Sequence, residues 1–417
     1  MKVAVVGGGS TYTPELVDGF ARLAPGLSEL ALIDPAADRL AVVGPFGRRI
    51  LARRGHRARL TWTTDPDAGL DGADIVIIQL RVGGQAARIG DETFPLECGC
   101  VGQETTGAGG LAKAMRTVPV VLDVARRARA RATPGAWVIA FTNPVGIVTG
   151  ALLDDGHRAL GLCNVAIGMQ RRFAALLGVP PAQVLLDHVG LNHLTWERAA
   201  VVGGVDRLPG LIAEHGDALA ERVGLPRRLL ELTGTVPSYY LRYFYAHDAV
   251  VREQLASTSR AAEVAEIERR LLELYADPAL DEKPELLAQR GGAFYSEAAV
   301  QLAAALLGDV TASTHVVNLR NDGTLPFLPD DAVIEVPASV DRSGVRALPV
   351  GPLEPLYAGL VGHVTAYENL ALEAARRGGR KRVVDALLAH PLVGQVELAD
   401  GLADRLLAHN REHLSWA

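Results

Sequence analysis

The sequence predicts an α/β fold: a doubly wound parallel sheet in the first part of the chain, followed by an α+β part. Three observations predict it. Short apolar runs alternate with helical patterns up to about residue 165. A glycine-rich turn, "GGGSTYTPEL", lies directly between the first apolar run and the first helix. Beyond residue 165 the texture changes to polar–apolar alternation and then to long helical stretches.

The elements follow in order. "KVAVVG" (2–7) is an apolar run of the buried-strand type. Thr13 and Pro14 read as an N-cap and a first helical position, with Leu16, Val17, Phe20 and Leu23 on one helical face. "ELALID" (29–34), "RLTWTTD" (59–65) and "ADIVIIQL" (73–80) are the next three strands. A helical pattern fills about 105–131, then "WVIAFTNP" (137–144) is a fifth strand stopped by proline and "RALGLC" (158–163) a sixth. "VLLDHVGLNHLTWERAAVV" (184–202) alternates as antiparallel strands do, and helical patterns follow at about 239–276, 294–308 and 352–377. The expected division is 1–165 and 166–417, with a cleft where the two parts meet.

Composition narrows the function. Hydrophobic residues at 49% and charged residues at 22% describe an ordinary globular chain. A net charge of −6 argues against nucleic acid or an anionic membrane as the main partner. No apolar run reaches membrane-spanning length, and the chain opens on a strand pattern rather than a signal peptide. Cys98, Cys100 and Cys163 do not make a disulfide framework, so a cytoplasmic location is expected.

Gly7, Gly8 and Gly9 fit the start of a dinucleotide fingerprint, but its third glycine position is Tyr12. The cluster alone reads equally well as a tight turn or a cofactor loop. Two features favour the loop. It precedes a helix N-terminus, where free N–H groups and the helix dipole attract anions. Asp34 ends the second strand, 25 residues after Gly9, near where an acid holds the ribose hydroxyls. Taken singly, Asp34 also reads as a turn residue before Pro35. The combination favours NAD, because an acid there repels the extra phosphate of NADP.

Four clusters carry candidate chemistry. Asn143 in "FTNP" ends the fifth strand, where it could hold a substrate hydroxyl or cap the turn. Cys163 in "GLCNV" and His193 in "GLNHL" could form half of a metal site, completed by substrate and water, although each alone also reads as a core residue. Tyr240, Tyr243 and Phe244 in "SYYLRYFY" fall on one helical face, as a core stripe or as the setting of a tyrosinate base. Arg81, Arg88 and Arg260 are candidates for an anionic substrate, against many solvated arginines.

"VVGGGSTYTPEL", "RVGG…GQETTG" (81–107), "FTNPVG", "GLCNV", "GLNHL", "YYLRY", "RGGAFYS" (290–296) and "VVNLRNDG" (316–323) stand in an order that resembles glycoside hydrolase family four. The resemblance extends beyond "AHPLV" (389–393) and is closest to the family's 6-phospho-β-glucosidases. Asn164 after Cys163 supports that choice, since the α-glucosidase members tend to carry an acid there. The resemblance implies a lactate/malate-dehydrogenase-like Rossmann domain with an α+β C-terminal domain, NAD, and a divalent metal, usually manganese. It implies metal ligands at Cys163 and His193 and a base for the sugar C2 proton at Tyr240. It implies substrate contacts at Asn143, Asn164 and Asn192, and phosphate contact at Arg260, with Arg81 and Arg88 as further candidates. Gly7, Gly9, Ser10 and Asp34 match its cofactor loop. Ala166 departs from the family, which usually has proline there, and should alter the turn beside Cys163.

The implied route is C3 oxidation by NAD, C2 deprotonation, elimination of the aglycone, water addition and hydride return, an exception to two-carboxylate glycosidases. The implied substrate is a phosphorylated disaccharide such as cellobiose 6-phosphate, or an aryl glucoside. A homodimer or homotetramer is expected. The alternatives are a member specific for 6-phospho-α-glycosides or galactosides, an NAD-dependent 2-hydroxy acid dehydrogenase on the same fold, and an NAD-sensing regulator.

Overall fold

The computed structural model describes residues 1–292, 294–308 and 313–416. Six parallel strands form the first part: β1 (Lys2–Val6), β2 (Glu29–Ile33), β3 (Arg59–Thr63), β4 (Ile75–Ile78), β5 (Trp137–Ala140) and β6 (Ala159–Gly161). Their order is β6-β5-β4-β1-β2-β3, the doubly wound arrangement. Helices cover both faces, so the central strands β4 and β5 are apolar throughout; Ile75 to Ile78 are completely buried. The order reverses between β1 and β4, which opens a crevice outside the strands' carboxyl ends. Each strand stops short of its expected end, because Gly7, Asp34 and "FTNP" leave the sheet to build that crevice.

A second, antiparallel sheet holds β7 (Leu185–Leu191), β8 (Leu194–Val202), β9 (Val205–Asp206) and β10 (Val236–Pro237). The chain then returns to the first sheet. β11 (Ser313–Arg320), β12 (Val333–Asp341) and β13 (Gly344–Ala347) add antiparallel beyond β6, through the pair Asn318 and Gly161. The large sheet therefore has nine strands. Residue 165 separates β6 from the helix Val165–Leu177, but strands from beyond it complete the same sheet. Gly161 is required at this seam. A Cβ there would lie 2.3 Å from Thr149 Oγ1 and 2.5 Å from Val145 Cγ1.

The helices Gly107–Arg131, Tyr295–Leu307 and Pro355–Arg377 lie where their periodicity places them. The pattern at 239–276 does not make one helix. It breaks into a 3-10 turn, Tyr239–Leu241, and the helices Arg242–Tyr245, His247–Leu255 and Arg260–Ala276. Ala246 leaves helical geometry at φ −135°, ψ 32°, and the Ser259 hydroxyl starts a new helix by accepting from the Ala262 N–H. Tyr240 therefore sits in a turn, not on a helix face shared with Tyr243 and Phe244. Thr13 is not the N-cap either. The helix Thr13–Leu23 begins with it, and its hydroxyl accepts from Gln79 Nε2 at 2.9 Å. No helix among the described residues is long and apolar enough to cross a membrane.

Candidate active site

The glycine loop is shaped by the strand ends beneath it. The Gly7 and Gly8 N–H groups both donate to the Ile33 carbonyl, and Gly7 has φ +91°. A Cβ on Gly9 would lie 2.9 Å from Asp34 Cγ. Asp34 accepts from the Gly9 N–H through Oδ2 and from the Ala36 N–H through Oδ1, both at 2.9 Å. It therefore acts as a turn residue and closes the loop at once. Tyr12 occupies the third fingerprint position without blocking the loop, because its ring turns away toward the second part of the chain. Its hydroxyl donates to the Gly292 carbonyl at 2.6 Å. The Ser10 hydroxyl accepts from the Tyr12 N–H at 3.2 Å and from Arg290 Nη2 at 3.3 Å.

Cys163 follows β6 and His193 sits in the turn between β7 and β8. Asn192 shares that turn, and its amide donates to Glu335 Oε2 at 2.9 Å. Burial, then the Glu335 charge, pushes the Cys163 thiol up to about 12. The Val165 N–H, the Tyr295 hydroxyl and the Asn192 amide pull in the other direction. His193 has φ +63°, a left-handed conformation uncommon outside glycine. Burial pushes its imidazole down to about 4, so the ring is neutral and a lone pair is available. Its Nδ1 is buried with no hydrogen-bond partner.

This pair fits a divalent metal. A buried thiol needs a cation to become a thiolate, and a neutral imidazole with an unpartnered nitrogen is a ready ligand. Among the described residues no group of three or more His, Cys, Asp or Glu could hold an ion. Substrate oxygens and water would complete the coordination.

The Tyr240 ring stacks on His193, with centroids 3.6 Å apart and planes 9° apart. Burial, Cys163, Tyr243 and Glu104 raise its phenol well above the ordinary value, and Arg88 opposes them. Arg88 and Arg81 come together on Glu104. Arg88 Nε lies 3.0 Å from Glu104 Oε1 and 2.8 Å from Glu92 Oε1, and Arg81 and Lys113 pair with Glu104 Oε2. Burial pushes the Glu104 carboxyl up, but the Arg81, Lys113 and Arg88 charges outweigh it and hold it well below the usual range.

Arg260 lies apart from this cluster. It opens the helix Arg260–Ala276, half-exposed, pairs with Glu263 at 2.9 Å and donates to the Gln289 carbonyl at 2.6 Å. The next residue, Ala261, reaches inward and donates its N–H to Glu92 Oε2 at 2.7 Å. Asn143 follows β5, with Oδ1 buried and unpartnered. Asn164 is the N-cap of the helix Val165–Leu177, and Ala166 is buried in its first turn, where proline and alanine are both accommodated.

Sequence reading did not single out Glu335, His188, Glu197, Glu104, Lys113, Tyr295 or Arg290. Five of them lie inside "GQETTG", "RGGAFYS" and "GLNHL" with its flanks; Ala293 of the second lies outside the described residues. Glu335 carried a signal of its own: an acid inside the apolar run "VIEVP".

The family model described as Family 4 glycosyl hydrolase matches residues 2–179, and the one for the family's C-terminal domain matches residues 188–393. The chain belongs to family 4 of the glycosyl hydrolases. Within the family, it is 35% identical to the probable 6-phospho-beta-glucosidase of Bacillus subtilis, over 99% of this chain and 97% of that one. A 6-phospho-beta glucosidase of Thermotoga maritima, solved with NAD and glucose-6-phosphate, superposes with TM-score 0.93 at 33% identity, over 99% of both chains. A second form of it, solved with manganese, NAD+ and glucose-6-phosphate, superposes with TM-score 0.92. The phospho-alpha-glucosidase PagL of Clostridium acetobutylicum is 26% identical over 98% of this chain and 97% of that one. Malate dehydrogenase of Salinibacter ruber, TM-score 0.57 at 18% identity over 90% of this chain and 98% of that one, shares the fold. This family 4 chain thus carries the dehydrogenase-like sheet expected of it.

Proposed function

We propose that this family 4 enzyme hydrolyses 6-phospho-β-glucosides with NAD and manganese bound. One observation carries the reading: Tyr240 lies flat on the imidazole of His193, whose buried Nδ1 has no hydrogen-bond partner. The higher identity to β-type than to α-type relatives, and Asn164 after Cys163, favour the β-glycoside. When bound, NAD takes and returns a hydride and manganese supplies positive charge to the sugar's hydroxyl oxygens.

The chain's own residues have distinct roles in this proposal. Cys163 and His193 hold the metal. Gly7, Gly9, Ser10 and Asp34 form the cradle for NAD. The Tyr240 oxygen receives the C2 proton, with the Arg88 guanidinium favouring its charged form. Asn143, Asn164 and Asn192 hold sugar hydroxyls; the unpartnered Asn143 Oδ1 is an acceptor awaiting a donor. Arg260 meets the phosphate, where the start of its helix adds a favourable dipole. Arg81 and Arg88, both committed to Glu104, support this site through that carboxylate. The proposal includes a homo-oligomer, which sedimentation measures.

Enzyme stripped of nucleotide and treated with chelator is expected to be inactive on nitrophenyl 6-phospho-β-glucoside and to recover only when NAD and manganese are both returned. No net NADH should accumulate. Stoichiometric NADH would instead make the chain a 2-hydroxy acid dehydrogenase, and full activity after verified removal of either group would overturn the reading.

Arg260→Ala is expected to raise KM for the phosphorylated substrate by about 10–100-fold, the range of a lost charge-assisted hydrogen bond. The unphosphorylated analogue should be unaffected. Equal effects on the two substrates would remove Arg260 from the phosphate site.

A further inference from the structure

A buried chain of charged contacts lies behind the candidate metal pair. His188 on β7 is completely buried. Its Nδ1 lies 2.7 Å from Glu197 Oε1 on β8, its direct partner across the antiparallel pair. Its Nε2 lies 3.1 Å from Glu335 Oε1 on β12, in the other sheet. Glu335 Oε2 accepts from Asn192 Nδ2 at 2.9 Å and from Asn318 Nδ2 at 2.8 Å. Asn192 immediately precedes His193. One unbroken path therefore runs Glu197–His188–Glu335–Asn192, crosses between the small sheet and the large one, and ends one residue before His193.

The chemistry of this path is restrictive. A carboxylate only accepts, so an imidazole between two carboxylates satisfies both only when both ring nitrogens carry protons. Burial alone would lower the His188 basicity; the Glu197 charge, with hydrogen bonds to both acids, reverses that and raises it to about 10. Burial pushes the Glu335 carboxyl up, and the His188 hydrogen bond and charge, with Asn192 and Asn318, bring it below the ordinary value. Glu335 is thereby fixed as an acceptor. An acceptor on that side dictates which end of the Asn192 amide faces it. Replacing Glu335 by a neutral donor would let the amide flip.

We propose that His188, clamped between Glu197 and Glu335, is a positioning residue for the metal pair, acting through Asn192 to set the placement of the His193 turn. This rests on the reading that Cys163 and His193 hold the metal. Outer partners of metal ligands commonly change metal affinity by about 10–100-fold when removed.

The test is manganese affinity, read from the paramagnetic resonance signal of free manganese, with NAD affinity measured in parallel. His188→Gln is expected to weaken manganese by about 10–100-fold and to leave NAD unchanged. Cobalt-loaded protein should show a shifted absorption band, since the imidazole ligand is held differently. Glu197→Gln keeps the side-chain volume and one hydrogen bond, so it serves if His188→Gln does not fold; it should weaken manganese in the same direction, by less. A lowered melting temperature with unchanged manganese affinity and an unchanged cobalt band, in whichever variant folds, would make the path a packing feature and overturn the proposal. Cys163→Ser separates the two readings. If it binds manganese like the wild type, the metal assignment itself fails; if it does not, but His188→Gln and Glu197→Gln do, only the positioning role fails.

Discussion

Tyr240→Phe is expected to lower kcat by about 10²–10⁴-fold, the usual worth of a positioned acid or base. Manganese and NAD affinity should stay within a few fold. Phenylalanine keeps the ring and so keeps the stack on His193, whose centroid lies 3.6 Å away. What is lost is one hydroxyl. In the protein without ligands that phenol is held well above its ordinary value, by burial first and then by Cys163, Tyr243 and Glu104. A bound divalent cation is the charge that would reverse the direction, so the base should depend on metal occupancy. Isotopes show whether this hydroxyl moves the C2 proton. Product formed by the wild type in D2O should carry deuterium at C2, and Tyr240→Phe should slow exchange and aglycone release together. A fully protonated C2 at normal turnover would mean displacement at C1. Exchange that survives in the variant while release slows would assign the base elsewhere.

Glu104→Ala is expected to destabilise the protein by about 3–5 kcal/mol, as removal of one partner from a buried ion cluster does. Its carboxylate is the shared acceptor of Arg81, Arg88 and Lys113, and among the described residues only Arg88 makes a second ion pair, with Glu92. The pH dependence follows from the direction of the shift. The folded-state value is below the ordinary 4.5, so the unfolded chain binds more protons across that interval. The stabilisation from Glu104 is therefore present above about pH 4.5 and lost as pH falls toward the lower folded value. Urea melts of wild type and Glu104→Ala at neutral pH and through the acid range should converge as the acid limit is approached. A constant gap at every pH would mean that lost packing, not charge, accounts for the effect.

The strand–helix alternation of the first part was legible in the sequence because parallel strands buried on both faces must be apolar throughout, as Ile75 to Ile78 are. The glycine loop was legible because close backbone approach leaves no room for a Cβ at Gly7, Gly8 or Gly9. Cys163, His193 and Tyr240 stood out as residue types suited to a metal and a base. The return of β11, β12 and β13 to the first sheet was not legible: strand partners far apart in sequence are chosen by which edge is open, and local pattern carries no record of that. The broken helices after Tyr239 were hidden for a related reason, since their apolar spacing continues through breaks that Ala246 and Ser259 impose. Only the tertiary structure decided the roles of the buried charges. Glu104, His188 and Glu335 are single letters in three distant segments, and each is tolerable in the interior only beside the partners that folding delivers. Sequence alone determined the chemistry available to this protein; the meeting of two sheets decided how that chemistry is held.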